Sequence, residues 1–247
     1  MFRFKQFTIH DDRCAMKVGT DGVLLGAWAM ITPTDSTETC RVLDVGAGCG
    51  LVSLMVAQRY PTATITALEI DPAAAEQAEE NVAQSPFASQ VIVERGDFSV
   101  YQSAPYDAIV SNPPFYEEDL LPPDALRANA RHTAAGLNFD ILVHHSAELL
   151  KEGGSLHVII PKNAQNRFHS LCNNHALTLV RATDVRTVER KDPKRVMLHF
   201  VKANGTDRAF AIFANRNGSV VERDEIVLMD NGSRSEAYAE LCKDFYL

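Results

Sequence analysis

Short apolar runs that stop at glycine, proline or an acidic residue alternate along this chain with stretches in which apolar residues recur at helical spacing. The first, Thr20 and Asp21 followed by Val23-Leu24-Leu25-Gly26-Ala27-Trp28, reads as an N-capped, largely buried helix. After a polar linker over residues 33–39, Arg41-Val42-Leu43-Asp44-Val45 reads as a buried strand ending in glycines. Residues 51–58 then restore helical spacing until Pro61. Residues 64–69 form a second expected strand. Asp71-Pro72, an N-cap with proline at the first helical position, opens a helix over 73–83. Strands are predicted over 91–94, ahead of Gly96-Asp97, and over 106–111, running into Asn112-Pro113-Pro114. A helix over 139–150 stops at Gly153-Gly154, a strand over 156–160 stops at Pro161, and a helix covers 163–175. Two long strands, 177–188 and 195–202, flank the basic segment 189–194 like a hairpin with an extended loop. Further hairpin material is expected over 210–214 and 220–229, then a helix over 233–243.

Strands alternating with helices imply a parallel sheet wrapped on both faces. The expected class is α/β: a Rossmann-like, doubly wound, mostly parallel seven-stranded sheet with a terminal antiparallel hairpin. No repeat, low-complexity tract or long linker interrupts it.

Composition narrows the setting. A chain of 247 residues, 46% hydrophobic and 23% charged, suits one domain with decorations and excludes disordered or fibrous material. Met1-Phe2-Arg3-Phe4-Lys5 lacks the apolar run of a signal peptide, and the apolar stretch 23–31 is about half a membrane span. Cys14, Cys40, Cys49, Cys172 and Cys242 are odd in number and scattered, which argues against a disulfide framework or a zinc site. A soluble cytoplasmic protein is expected, with no metal, no membrane and no obligatory protein partner. The net charge of −8 hides an asymmetry, because residues 151–202 carry ten basic and four acidic groups. Exposed charge is screened within about 8–10 Å, so a local +6 surface can meet phosphates whatever the total.

Asp44-Val45-Gly46-Ala47-Gly48-Cys49-Gly50 follows a predicted strand and opens a predicted helix. Glycines there let a nucleotide-sized ligand approach the backbone and allow unusual dihedrals. Glu69, nineteen residues beyond Gly50 at the end of the next strand, is placed for a carboxylate to accept both hydroxyls of a ribose, with Ile70 following it. Asp97, after the third strand, is placed to accept from an adenine amino group, with Phe98 against the ring. Asp44 orients the loop or meets an ammonium group. These features in order resemble the class I S-adenosylmethionine-dependent methyltransferases. The spacing is G-x-G-x-G, which suits a cofactor that has no pyrophosphate to cradle.

Asn112-Pro113-Pro114-Phe115 sits after the fourth strand, at the sheet edge where such folds bind ligands. An adenine or amide amino nitrogen is a poor nucleophile because its lone pair is delocalised. Two acceptors, the Asn112 side-chain carbonyl and the Pro113 backbone carbonyl, can hold both N–H bonds and aim the lone pair at a methyl donor. The prolines stiffen the backbone, and Phe115 offers a stacking face worth roughly 1–3 kcal/mol for a base. The tetrapeptide is shared by adenine N6-methylases of DNA and RNA and by protein glutamine methylases.

Phe4-Lys5-Gln6-Phe7-Thr8-Ile9 and residues 16–27, from Met16-Lys17-Val18-Gly19-Thr20-Asp21 onward, resemble the N-terminal signature of the bacterial tRNA1(Val) adenine-37 N6-methyltransferase family. Lys243-Asp244-Phe245-Tyr246-Leu247 resembles that family's ending, so the likeness spans essentially the whole chain. It implies S-adenosylmethionine as cofactor and an anticodon-loop adenosine of a tRNA as substrate. Asn112, Pro113, Pro114 and Phe115 would form the target-base site, with Asn112 also beside the cofactor. Glu69 and Asp97 would grip the cofactor, and Thr20 and Asp21 would either lie near its methionine end or simply cap a helix. Residues 1–39 would be an extension packing on the cofactor site, 40–203 the core, and 204–247 a small elaboration of the same domain.

Arg186, Arg190, Lys191, Lys194 and Arg195 cluster around the predicted hairpin and are placed to hold anticodon-stem phosphates. Glu117, Glu118 and Asp119, just after Phe115, oppose that field. Arg131-His132 and His144-His145 read as helix-surface or capped residues. A glutamine N5-methylase of release factors usually carries a helical N-terminal domain, for which the residues before the glycine loop leave no room. A non-catalytic cofactor- or RNA-binding module is disfavoured by the intact tetrapeptide.

Overall fold

A computed structural model describes residues 1–35, 39–114, 137–203 and 221–247. Its centre is an eight-stranded sheet. The strands are β3 (Arg41–Val45), β4 (Thr64–Glu69), β5 (Val91–Arg95), β6 (Tyr106–Ser111), β7 (Leu150–Pro161), β8 (Leu177–Arg186), β9 (Arg195–Lys202) and β10 (Glu222–Val227). Their spatial order is β10-β8-β9-β7-β6-β3-β4-β5. All neighbours run parallel except β9, which is antiparallel to both β7 and β8. The chain builds outward from β3 through β4 to β5, then returns to lay β6 on the other side of β3. That reversal opens a crevice at the carboxyl ends of β3, β4 and β6.

Helices α1 (Thr20–Trp28), α2 (Leu51–Arg59) and α3 (Pro72–Ala83) cover one face, and α4 (Phe139–Leu149) and α5 (Gln165–Asn174) the other. The strands are apolar on both sides, so successive residues feed two cores. Val42, Ile65 and Val110 face the first, Leu43, Val45 and Ile109 the second. Helix α1 is buried from Gly22 to Trp28, and Gly26 permits its contact with α2: a Cβ there would lie 2.8 Å from Met55.

The doubly wound α/β expectation holds, with one strand more than the seven expected. The segment expected as half of a hairpin over 220–229 instead supplies β10, which pairs in parallel with β8; residues 210–214 lie outside the described residues. The charged run of β10 is strand-forming because its acids meet basic residues of the neighbouring strand. Asp224 pairs with Arg181 and Glu225 with Arg186, each at 2.9 Å.

Gly153-Gly154 do not separate a helix from a strand. They lie within β7, which starts at Leu150. A Cβ on Gly154 would come 3.1 Å from the Asp107 carbonyl, so the glycine admits a close approach to β6. The helix expected over 233–243 is also revised. Asn231-Gly232, both at positive φ, turn β11 (Met229–Asp230) back as β12 (Ser233–Arg234). Ser235 then caps the shorter α6 (Glu236–Leu241), accepting from the Tyr238 amide at 3.1 Å.

The ends of the chain meet. The Lys5 amide donates to the Phe245 carbonyl at 2.8 Å, and the Phe4 ring stacks on Tyr246 at 6.1 Å. Beside them, β1 (Phe2–Arg3) pairs with β2 (Thr8–Ile9).

Candidate active site

The crevice is built from strand ends. The loop after β3 places Gly46, Gly48 and Gly50 at φ values of 71°, 56° and 81°, conformations that a side chain disfavours. A Cβ at Gly50 would press on Ala78 of α3 at 3.4 Å, whereas one at Gly48 would meet nothing within 4 Å. The loop thus packs on one side and is open at Gly48. The Gly46 and Ala47 amides donate to the Leu68 carbonyl at 2.9 and 3.1 Å, tying the loop to the end of β4.

Glu69 is buried, yet both of its oxygens are held by backbone. Oε2 accepts from the Gly48 amide at 2.7 Å and Oε1 from the Asp71 amide at 2.9 Å. Each oxygen keeps a second lone pair, so the fixed carboxylate can still accept from hydroxyls. Asp44 is fully buried beneath the loop and accepts from Ser53 Oγ of α2 at 2.6 Å. Burial raises its carboxyl to about 7, against the Ser53 bond that lowers it, and nearby Glu69 adds to the rise.

An open cleft is lined by Val45, Gly46, Leu68, Ile70, Asp97 and Phe98 among others. Asp97 Oδ1 is oriented by the Ser99 amide at 2.8 Å, and Phe98 packs edge-on against His145 at 5.7 Å. Leu137 and Ile141 complete the apolar wall. Sequence reasoning missed both, because the start of α4 and the residue before its cap bring them to the cleft from beyond the fold's fourth strand. Asn138 caps that helix, accepting from the Ile141 amide at 2.8 Å.

At the end of β6, Ser111 Oγ donates to the Val45 carbonyl at 2.9 Å, anchoring the following turn to β3. Asn112, buried Pro113 and half-buried Pro114 follow, while Phe115, Glu117, Glu118, Asp119, Arg131 and His132 lie outside the described residues. Among the described residues Asn112 Oδ1 is buried without a hydrogen-bond partner, and Nδ2 donates to the Met16 thioether at 3.7 Å.

Met16 belongs to the extension expected to pack on the cofactor site, where no role of its own was expected for it. Asn81 of α3 forks onto its start: Oδ1 accepts from the His10 amide at 2.9 Å, and Nδ2 donates to the His10 and Cys49 carbonyls, each at 2.8 Å. The Cys14 and Cys49 thiols also hydrogen-bond, which lowers Cys14 and raises Cys49. No pattern in the sequence marks Asn81, since its role depends on contacts between distant segments.

The N-cap expected of Thr20 and Asp21 is absent. Gly19 holds the cap position of α1 without a side-chain bond, and Asp21 pairs instead with Arg195 Nε at 2.9 Å. The β8–β9 turn lies at the same sheet edge as Asn112. Ser111 is level with Val158 of β7, and Pro161, three residues on, is level with Arg195. Strands about 4.8 Å apart put Arg195 roughly 10–15 Å from the Asn112 turn. Arg190, Lys191 and Lys194 are exposed on that turn. Arg186 is committed to Glu225 and to the Lys191 carbonyl.

His144 and His145 are on the surface of α4 beside Glu148, at 3.5 and 3.3 Å. Among the described residues no group of histidines, cysteines and carboxylates is arranged to hold a metal, and no helix is long and apolar enough to cross a membrane.

The chain matches the methyltransferase small domain over residues 20–177. A tRNA1(Val) (adenine(37)-N6)-methyltransferase of Bacteroides thetaiotaomicron is 41% identical over 100% of this chain and 97% of its own. The protein of the same name in Aeromonas hydrophila is 40% identical, with the same coverage of each chain. Two solved structures share the fold at lower identity. A predicted O-methyltransferase from Agrobacterium tumefaciens superposes with a TM-score of 0.64 at 17% identity, covering 91% of this chain and 96% of its own. A precorrin-6y C5,15-methyltransferase from Geobacter metallireducens reaches 0.52 at 14%, covering 80% and 94%.

Proposed function

The chain belongs to the methyltransferase small-domain family and, within it, to the tRNA1(Val) (adenine(37)-N6)-methyltransferases, and from that premise we propose how its residues divide the reaction. It transfers a methyl group from S-adenosylmethionine to N6 of adenosine 37 in tRNA. We assign the cofactor to the cleft at the ends of β3, β4 and β5. The open approach at Gly48, the fixed Glu69 carboxylate and the apolar wall ending in Asp97 fit an adenosyl group bearing a short charged tail. Glu69 accepts from the ribose hydroxyls and Asp97 from the adenine amino group, with Ile70 and Phe98 against the ring. Gly46, Gly48, Gly50, Asp44, Thr20 and Asp21 serve the methionine end. Residues 1–39 are the extension over this site, 40–203 the core, and 204–247 an elaboration of the same domain.

Held by Glu69, Asp97 and the glycine loop, the cofactor would supply an electrophilic methyl group carried on a sulfonium. The protein's part is positioning. Asn112 Oδ1 and the Pro113 carbonyl accept the two N6 hydrogens, so the nitrogen lone pair is turned to the methyl carbon. The methylated nitrogen then loses one proton to water, and no strong base is needed. The observation that carries this reading is the buried, unpartnered Asn112 Oδ1. Leaving such an acceptor unmade costs about 1–3 kcal/mol, and it persists where a ligand supplies the donor.

The exposed Arg190, Lys191 and Lys194, backed by Arg186 and Arg195, hold tRNA phosphates while a single-stranded loop base enters the site. Incubation with labelled S-adenosylmethionine and total tRNA, followed by digestion, tests the assignment. N6-methyladenosine at position 37 is expected. Label appearing instead in a release factor would overturn it in favour of a glutamine methylase, and no label in either would point to a non-catalytic module.

A further inference from the structure

We propose that Met16 is a positioning residue for methyl transfer, selecting which end of the Asn112 carboxamide faces the substrate. The proposal rests on the role given to Asn112 above. A carboxamide is nearly symmetric in shape, and its oxygen and nitrogen ends differ only in accepting or donating. An Asn112 turned the wrong way would present N–H groups to the N–H groups of an amino substrate. Something must therefore fix the rotamer before the base arrives.

Met16 meets that need by chemistry as well as by position. A thioether accepts weakly and cannot donate, so it is compatible only with the Nδ2 end. The contact is made at 3.7 Å, and the opposite end, Oδ1, is the atom left buried and unpartnered. Both belong to one orientation of the carboxamide, and together they describe an amide whose donor end is occupied and whose acceptor end is reserved.

The segment holding Met16 is braced for such a task. Asp11 Oδ2 accepts from the Val18 amide at 3.0 Å, closing residues 11–18 into a loop. Lys17 Nζ straps its inside by donating to the Asp11 and Asp12 carbonyls at 2.7 and 3.0 Å. The Val18 amide holds the Asp11 carboxyl below its usual range, with the amino terminus and Lys17 contributing. Met16 remains about half exposed at the tip, at 48%. An exposed methionine on a braced loop has little reason to be there for core packing.

The test compares Met16→Leu, which keeps the volume but cannot accept, with Met16→Gln, whose carbonyl can. Single-turnover rates on tRNA, cofactor affinity by calorimetry and tRNA affinity are measured for each, beside Asn112→Ala. Met16→Leu is expected to slow the chemical step about three- to tenfold, the range for one modest hydrogen bond, while both affinities stay within about twofold. Met16→Gln should recover most of the rate. A Met16→Leu rate indistinguishable from the parent overturns the proposal, as does an equal loss in Leu and Gln variants, which would make the side chain mere packing. If Asn112→Ala itself keeps full activity, it is the underlying assignment of Asn112 that fails, and the Met16 role falls with it.

Discussion

Asp44→Asn should stabilise the cofactor-free protein at alkaline pH while weakening its hold on the methyl donor. The carboxyl is fully buried with one side-chain donor, Ser53, and burial raises it from 3.8 to about 7. The native state therefore keeps this proton to a higher pH than the unfolded chain. Its contribution is most favourable in acid, declines as pH rises from about 3.8 to about 7, and is level above that. A rise of about three units corresponds to roughly 4 kcal/mol once the group is ionised in both states. At pH 5 only about 2 kcal/mol of that cost has accrued, and at pH 8 nearly all of it has. Asparagine cannot ionise and its carbonyl can still accept from Ser53. The stability gap between variant and parent should thus widen by about 2–3 kcal/mol from pH 5 to pH 8, or about 5–10 °C in melting temperature for a chain of this size. Denaturant or calorimetric melts at the two pH values, without methyl donor, provide the measurement. Parallel curves for parent and variant would refute the reasoning. On the assignment of Asp44 to the methionine end proposed above, added S-adenosylmethionine should protect the parent more than the variant, its ammonium compensating the buried charge.

Other expectations are simpler to state. Asn112→Ala should lower the single-turnover rate by about 10²-fold or more while cofactor affinity stays within about twofold; equal loss of both would make the tetrapeptide structural. Lys191→Glu with Lys194→Glu should weaken tRNA binding and reduce the slope of log affinity against log salt by about 1–2, read from titrations at several salt concentrations. His157 and His199 stack at 4.2 Å inside the sheet, and burial lowers both, His199 to about 4. Neutral imidazole is what the fold accepts, so this contribution is present above about pH 6.5 and is lost as pH falls toward 4. For His199 alone the loss from pH 7.5 to 5.5 is about 1 kcal/mol, and melts of His199→Gln should lack that part of the slope.

The parts of this structure that sequence disclosed are those in which neighbours in the chain make the decisive contacts. The strand of residues 106–111, the glycine loop after Val45 and the Asp71-Pro72 helix start all depend on local residue types. Asp71 does accept from the Ala74 amide, at 2.8 Å. Cross-strand partners were harder. Glu222–Val227 was expected as a hairpin strand, but its parallel pairing with the strand that carries Arg181 and Arg186 was not. Asn231-Gly232 did carry a local turn signal, which a helical reading of the following residues overrode. The crevice positions of Asp44, Glu69 and Asp97 were legible because strand ends are predictable places. Asp21 was read as a cap, yet its partner is Arg195, 174 positions away. Met16, Asn81, Leu137 and Ile141 escaped for the same reason: each acquires its role from a segment remote in the chain.

The bond from Lys5 to Phe245 has a consequence for how the enzyme comes into being on the ribosome. The segment around Lys5 cannot find its seat until the one around Phe245, 240 positions later, has been made. At about 5–20 residues per second, those two events are separated by roughly 10–50 s. During that interval the sheet can form, but residues 4–9 lack their partners at 245 and 246, and the Met16 loop that follows them is tethered at one side only. Vectorial synthesis thus imposes a natural delay. A nascent chain with a complete glycine loop still lacks this brace, which forms only once residues 245 and 246 have been added.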